Sequence, residues 1–160
     1  MSTLSWTTLA SEDLLVSIEV PIGWTADPDG FLLTLHGPGD GGYAPTVTLQ
    51  AGEPEEPGRA WFEEFAASVA PRLEREVPGF ELLGTDRFEL SSLGSEVYAV
   101  RGRRPQDDVL PATTQLQAYV WAGSYRMLSF GGSTLTGREA EDLPVFDRML
   151  RSLRLLPPRP

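Results

Sequence analysis

Val16, Ile18, Val20 and Ile22 alternate with Ser17, Glu19 and Pro21, the period-two pattern of a strand with one buried face. Pro21 has no N–H to donate, so it confines this strand to an edge or marks its end before Gly23 and Trp24. Upstream, Trp6 and Leu9 suit a short edge strand. Asp27-Pro28-Asp29-Gly30 reads as a turn. Residues 31–36 form a strand closed by the glycine-rich loop 37–42. Residues 45–51 form another, with Val47 and Leu49 on one face and Thr46, Thr48 and Gln50 on the other. After the acidic, proline-containing link 52–58 the period changes. Phe62, Ala66, Val69, Leu73 and Val77 fall on one helical stripe, predicting a helix over 59–77. Pro71 lies inside it and removes one hydrogen bond, so a kink or break is expected there.

Residues 80–90 and 97–104 then read as strands joined at 91–95, followed by a polar loop at 105–111. The segment 116–133, LQAYVWAGSYRMLSFGGS, reads as the central hairpin of the sheet, with Gly123-Ser124 as a two-residue turn. That turn sets Trp121 opposite Arg126 and places Tyr119, Trp121, Arg126, Leu128 and Phe130 on one face. Both faces are largely apolar, so both should be covered. Finally, Leu143, Phe146, Met149, Leu150 and Leu153 form a clean helical stripe. Thr136 and Glu139 have capping-box spacing, and Leu143-Pro144 offers a second start. Runs of strands separated by two helices predict an α+β fold. The expected form is an antiparallel sheet of about six to eight strands between helical layers.

The chain has 160 residues, enough for one domain spanning 1–160. It has no apolar run of membrane-spanning length. The N-terminus lacks the basic and apolar regions of a signal peptide, so a cytoplasmic protein is expected. Cysteine is absent, which removes disulfides, thiolate metal sites and cysteine nucleophiles. Lysine and asparagine are absent too, and all 13 basic residues are Arg, a usage that suits a GC-rich, actinobacterial genome. The net charge of −10 repels phosphate backbones and anionic membranes. It favours a basic or amphipathic protein partner.

Catalytic chemistry is thin. His36 is the single histidine, and no nucleophile-elbow motif accompanies it. The GPGDGG loop lacks the lysine of a P-loop and the order of a dinucleotide fingerprint. The turn at Asp27 begins like a calcium loop, but its twelfth position is Pro38, which cannot ligate. The carboxylate pairs Glu55-Glu56, Glu63-Glu64 and Asp107-Asp108 fall in links or on a helix surface. No cofactor, metal or catalytic residue is expected. The group with binding character is Tyr119, Trp121 and Arg126, with Trp24 and Tyr43 as neighbours. Aromatics and Arg dominate binding hot spots. The competing reading of the same strip is core covered by a helix.

The segments VPIGW (20–24), FLLTLHGP (31–38), PTVTLQAGE (45–53), FEEFAASVAPRLE (62–74), PGFELLGTDRFEL (78–90), VYAVRGRR (97–104) and VFDRMLRSLRLL (145–156), in this order, resemble the Mog1/PsbP-like superfamily. Within it they resemble the bacterial DUF1795 and LpqN-type members. The recurring patterns are P-x-G-W after the first strand and F-x-x-[MIL]-[LI]-x-S-[LI] in the last helix. The resemblance implies an α/β/α sandwich around an antiparallel sheet. It also implies a non-catalytic binding, adaptor or accessory role as a monomer or homodimer. The chain departs from the lipoprotein members in having no lipobox cysteine. The alternative is a small-molecule-binding protein or a hydrolase using His36 with a nearby carboxylate, which requires a pocket at His36. A third reading is a structural subunit of a larger assembly.

Overall fold

The structure, a computed structural model, describes residues 4–39, 43–52, 55, 58–90, 95–122 and 126–156. Five strands open the chain: β1 (Trp6–Ser11), β2 (Val16–Pro21), β3 (Thr25–Asp29), β4 (Leu32–His36) and β5 (Thr46–Gly52). Helix α1 (Arg59–Glu76) follows. Then come β6 (Glu81–Leu90), β7 (Ser95–Arg104), β8 (Thr113–Trp121) and β9 (Met127–Leu135). A 3-10 turn at Thr136–Arg138 leads into α2 (Glu139–Arg151), and β10 (Arg154–Leu155) ends the described chain.

Seven strands form the main sheet in the order β3-β4-β5-β9-β8-β7-β6, antiparallel throughout. A second sheet, β1-β2-β10, was not expected from the sequence. It shares one apolar layer with α2: Val16, Ile18 and Val20 of β2 join Phe146, Met149 and Leu150 of α2 over Leu49, Ala118, Val120, Leu128 and Phe130. On the opposite face of the main sheet, α1 sets Phe62, Ala66, Val69 and Ala70 against Tyr98 and Val100. The result is an α+β sandwich with a helix on each side of the main sheet.

Four local readings change. The segment read as a turn at Asp27 is strand β3, an edge strand exposed along its length and paired Thr25 to His36 through Asp29 to Leu32. Pro28 and the two aspartates are tolerated because one side of an edge strand needs no partner. Helix α1 runs continuously through Pro71. Pro71 and Ala67, whose carbonyl would have received the missing N–H, are both exposed, so that carbonyl is open to solvent and need not go unsatisfied. The capping box does not form. No side chain caps α2, because Glu139 turns instead to Arg103 and Thr114.

The fourth change is the register of the central hairpin. Trp121 pairs with Met127, and Ala122 N–H donates to the Arg126 carbonyl at 3.0 Å. Three residues, 123–125, therefore separate Ala122 from Arg126 where two were expected. The expected Gly123-Ser124 turn itself lies outside the described residues. Because side chains alternate with period two, this one-residue shift moves Arg126, Leu128 and Phe130 to the face opposite Trp121.

Candidate functional site

The five aromatic and Arg residues singled out in the sequence go to four separate places. Tyr119 and Trp121 lie under α1. The Trp121 ring sits 5.5 Å from Phe62 and 6.5 Å from Trp61 between centroids. Phe65 meets Tyr119 edge to face at 4.9 Å, a favoured aromatic geometry. The helix-covered reading of this strip holds for Trp121, which makes no cation–π contact with Arg126. Burial pushes the Tyr119 phenol up from its ordinary value. Arg126 reaches from the other face to the carbonyls of Leu14 and Leu15. Trp24 packs beside the main core and closes against Gly37, where an added Cβ would lie 2.9 Å from its ring. Tyr43 hydrogen-bonds Ser133 through the two hydroxyls at 3.1 Å.

A different surface emerges from the sheet. Helix α1 covers the β7–β8 side of its face and leaves the rest open. Three rows cross the exposed part, each running through β5, β9 and β8: Thr46–Ser133–Gln115, Thr48–Gly131–Gln117 and Gln50–Ser129–Tyr119. These nine residues line a groove of ≈ 320 Å³. Gly131 occupies its centre, where an added Cβ would approach Thr48 Oγ1 to 3.1 Å. Gln117 Nε2 donates to Gln115 Oε1 at 3.0 Å, and Tyr119 Oη donates to Gln117 Oε1 at 3.5 Å. Tyr119 thus ends its buried aromatic row with a hydroxyl at the groove.

The groove is built from neutral hydroxyls and amides. Of its lining residues only Tyr119 is ionisable, so the floor can orient a polar ligand but offers no acid–base pair at neutral pH. Acidic residues border it: Asp27 and Asp29 of β3 lie on the same sheet face, across β4. The groove residues escaped sequence reasoning because alternating Thr, Gln and Ser read as the ordinary wet side of a strand. The available signal was the pairing of Gly131 with polar neighbours in β9.

His36 sits at the end of β4 on this face, between Thr25 and Thr46. Among the described residues, no hydrogen bond or ion pair joins it to a carboxylate. No group of three or more His, Asp or Glu residues there could hold a metal. Glu63 pairs with Arg59 and Arg87, and Asp107 accepts from the Val109 and Leu110 N–H groups of its own loop. The most perturbed carboxyl is structural. Hydrogen bonds from Arg103 and Thr114 hold Glu139 down to about 2, tying the start of α2 to β7 and β8.

No family model matches the sequence, and no curated protein matches it. Solved structures do. The cyanobacterial PsbP (CyanoP) of Synechocystis sp. PCC 6803 superposes with a TM-score of 0.68 at 14% identity, covering 96% of this chain and 94% of that one. LpqN of Mycobacterium tuberculosis, involved in cell envelope biogenesis, gives 0.67 at 14%, covering 98% and 93%. The Ran-binding protein Mog1p of Saccharomyces cerevisiae gives 0.60 at 10%, covering 96% and 97%.

The fold is Mog1/PsbP-like. At these identities the likeness concerns the fold alone and transfers no residue role. On that frame this chain carries the neutral groove on the open half of its sheet and Arg126 on the opposite face.

Proposed function

We propose that this protein is a non-catalytic module that binds a protein or peptide partner on the open half of the main sheet. The observation that supports the reading is the groove itself. The side chains of Thr46, Thr48, Gln50, Gln115, Gln117, Ser129 and Ser133 line it where the helical layer stops, and Tyr119, at the end of an aromatic row from α1 and β8, forms one wall. A bound segment can satisfy Gln, Ser and Thr groups that no helix covers, while Tyr119 supplies apolar contact with a polar handle. Asp27 and Asp29 beside the groove, with the overall charge of −10, select a basic or amphipathic segment. The Ran-binding role of Mog1p fits the same general class, a protein partner, without naming this one.

The test is a peptide array probed with wild-type protein and with Thr48→Arg, which fills the groove beside Gly131 and reverses its charge preference. Bound peptides should be rich in basic and apolar residues. They should lose at least about tenfold in affinity to the variant, equivalent to ~1.4 kcal/mol, while its melting temperature stays within a few degrees. Binding unchanged in Thr48→Arg would sink the groove as the docking site. Ester or glycoside turnover that disappears in His36→Ala would establish an enzyme instead.

A further inference from the structure

The main sheet ends in two edges of different character. β3 closes one of them: Pro28 stands in its middle without an N–H, between two aspartates, devices that keep an edge from accepting another strand. β6 forms the other edge and has ten residues against the five of β3. Its register shift lies near the start, between Leu82 and Gly84. From Gly84 to Leu90 it pairs regularly with β7 on one side, has no strand on the other and contains no proline. Alternate residues of this stretch therefore turn their N–H and C=O groups away from the sheet.

The side chains of this stretch sort onto two faces. Arg87 and Glu89 project on the α1 side, where Arg87 Nη2 reaches Glu63 of that helix at 2.8 Å and Glu96 of β7 at 3.3 Å. Asp86 and Phe88 project on the α2 side. Arg151 of α2 meets Asp86 there at 3.3 Å and lies 4.0 Å over the Phe88 ring. Asp86 is thus neutralised within the chain. Arg87 is half-exposed and uses a single nitrogen for both of its partners, so Nη1 is left for another carboxylate. Glu89 is exposed and makes no ion pair among the described residues.

We propose that β6 is a homodimerisation edge, on which residues 86–90 of two copies of this chain pair antiparallel about Phe88 and join the two main sheets. The two-fold axis stands normal to the sheet, and the charges choose the residue it passes. An axis at Asp86, Arg87 or Glu89 sets that residue against its own copy, and like charges directly opposite are destabilising. An axis at Thr85 carries the second strand over the irregular stretch at Leu83. An axis at Phe88 sets the two phenylalanines side by side on the α2 face. On the α1 face it sets Arg87 against Glu89 of the second copy, and symmetry makes that pair twice. An unrelated strand would have to bring this alternation of charge; a second copy carries it by identity. Five residue pairs fall short of a standard interface of roughly 800 Å² per partner, so the dimer is a weak one, with a Kd of about 10–100 μM. The groove on β5, β9 and β8 lies away from this edge, so dimerisation is independent of peptide binding there.

The experiment is sedimentation velocity of the full chain over a concentration range that brackets that Kd. The wild type should pass from monomer to dimer as concentration rises. Arg87→Glu sets Glu against Glu across the axis and Glu89→Arg sets Arg against Arg, so each variant alone should associate at least about tenfold more weakly. Mixed in equal amounts, the two variants restore opposite charges at both pairs and should form a heterodimer of wild-type strength. A wild type that stays monomeric, a single variant that dimerises like wild type, or a mixture no stronger than its components overturns the proposal. If Arg87→Glu fails to fold, hydrogen exchange of the wild type decides. Alternate amides of residues 86–90 should gain protection as concentration rises, and protection that does not change with concentration overturns the proposal.

Discussion

Phe146 of α2 stands directly on Gly132 of β9: a Cβ built on that glycine would lie 2.7 Å from the ring. The contact explains both residues. Phe146 is fully buried because the strand beneath it has no side chain at that position. Gly132 is tolerated mid-strand because the ring fills the space its missing side chain leaves. Gly132→Ala should cost about 1–3 kcal/mol through overpacking, and Phe146→Ala about 3–5 kcal/mol through the cavity it leaves. In urea melts the double variant should lose less than the sum, because each change relieves part of the other. Strict additivity would show that the ring does not rest on the glycine.

Trp121 and Arg126 occupy opposite faces and share no partner. Trp121→Ala opens space beside Phe62 and Trp61 and should cost roughly 3 kcal/mol. Arg126→Ala leaves the Leu14 carbonyl without its donor and should cost about 1–3 kcal/mol. The losses should add within about 0.5 kcal/mol. A large coupling energy in denaturant melts would mean that the two side chains meet, as the shorter hairpin turn required.

Pro71 sits on the exposed side of an unbroken helix, so its replacement meets no packing barrier. Pro71→Ala restores an N–H to the Ala67 carbonyl and should stabilise the protein by about 1–3 kcal/mol. The gain is reduced by the greater freedom of the unfolded chain. A loss of stability in thermal melts would show that the ring at Pro71 has a packing role.

Glu139 predicts an acid-side dependence. Arg103 and Thr114 hold its carboxyl at about 2 against an ordinary 4.5, so in between it is ionised in the folded protein and protonated in the unfolded one. Its contribution is complete above about 4.5 and is lost as pH falls through about 2. Melting temperature should therefore decline across that window, and less steeply in Glu139→Gln. Added salt should weaken the effect, because the pair is partly exposed. Identical slopes for variant and wild type would remove Glu139 from the acid response.

The order of elements was legible from local pattern. Phe62, Ala66 and Val69 announce α1, and Phe146, Met149, Leu150 and Leu153 announce α2, because helical period is a property of neighbours in the chain. The alternation of Val47 and Leu49 with Thr46 and Thr48 likewise told which residues of β5 share a face. Residue types also bounded the chemistry, since a chain with one histidine and no cysteine has few nucleophile or metal constellations open to it. Pattern could not say which wet face stays wet. Gln117 and Trp121 project from the same side of β8, yet α1 covers one and leaves the other open, because α1 lays Trp61, Phe62 and Phe65 over the Tyr119–Trp121 end of the strand and not over Gln117. Nor could it place Arg126, whose partners Leu14 and Leu15 lie 112 and 111 residues away. One residue in a loop decided which face that guanidinium serves, and only tertiary packing, which rewards burying Leu128 and Phe130 on the α2 side, selects that register.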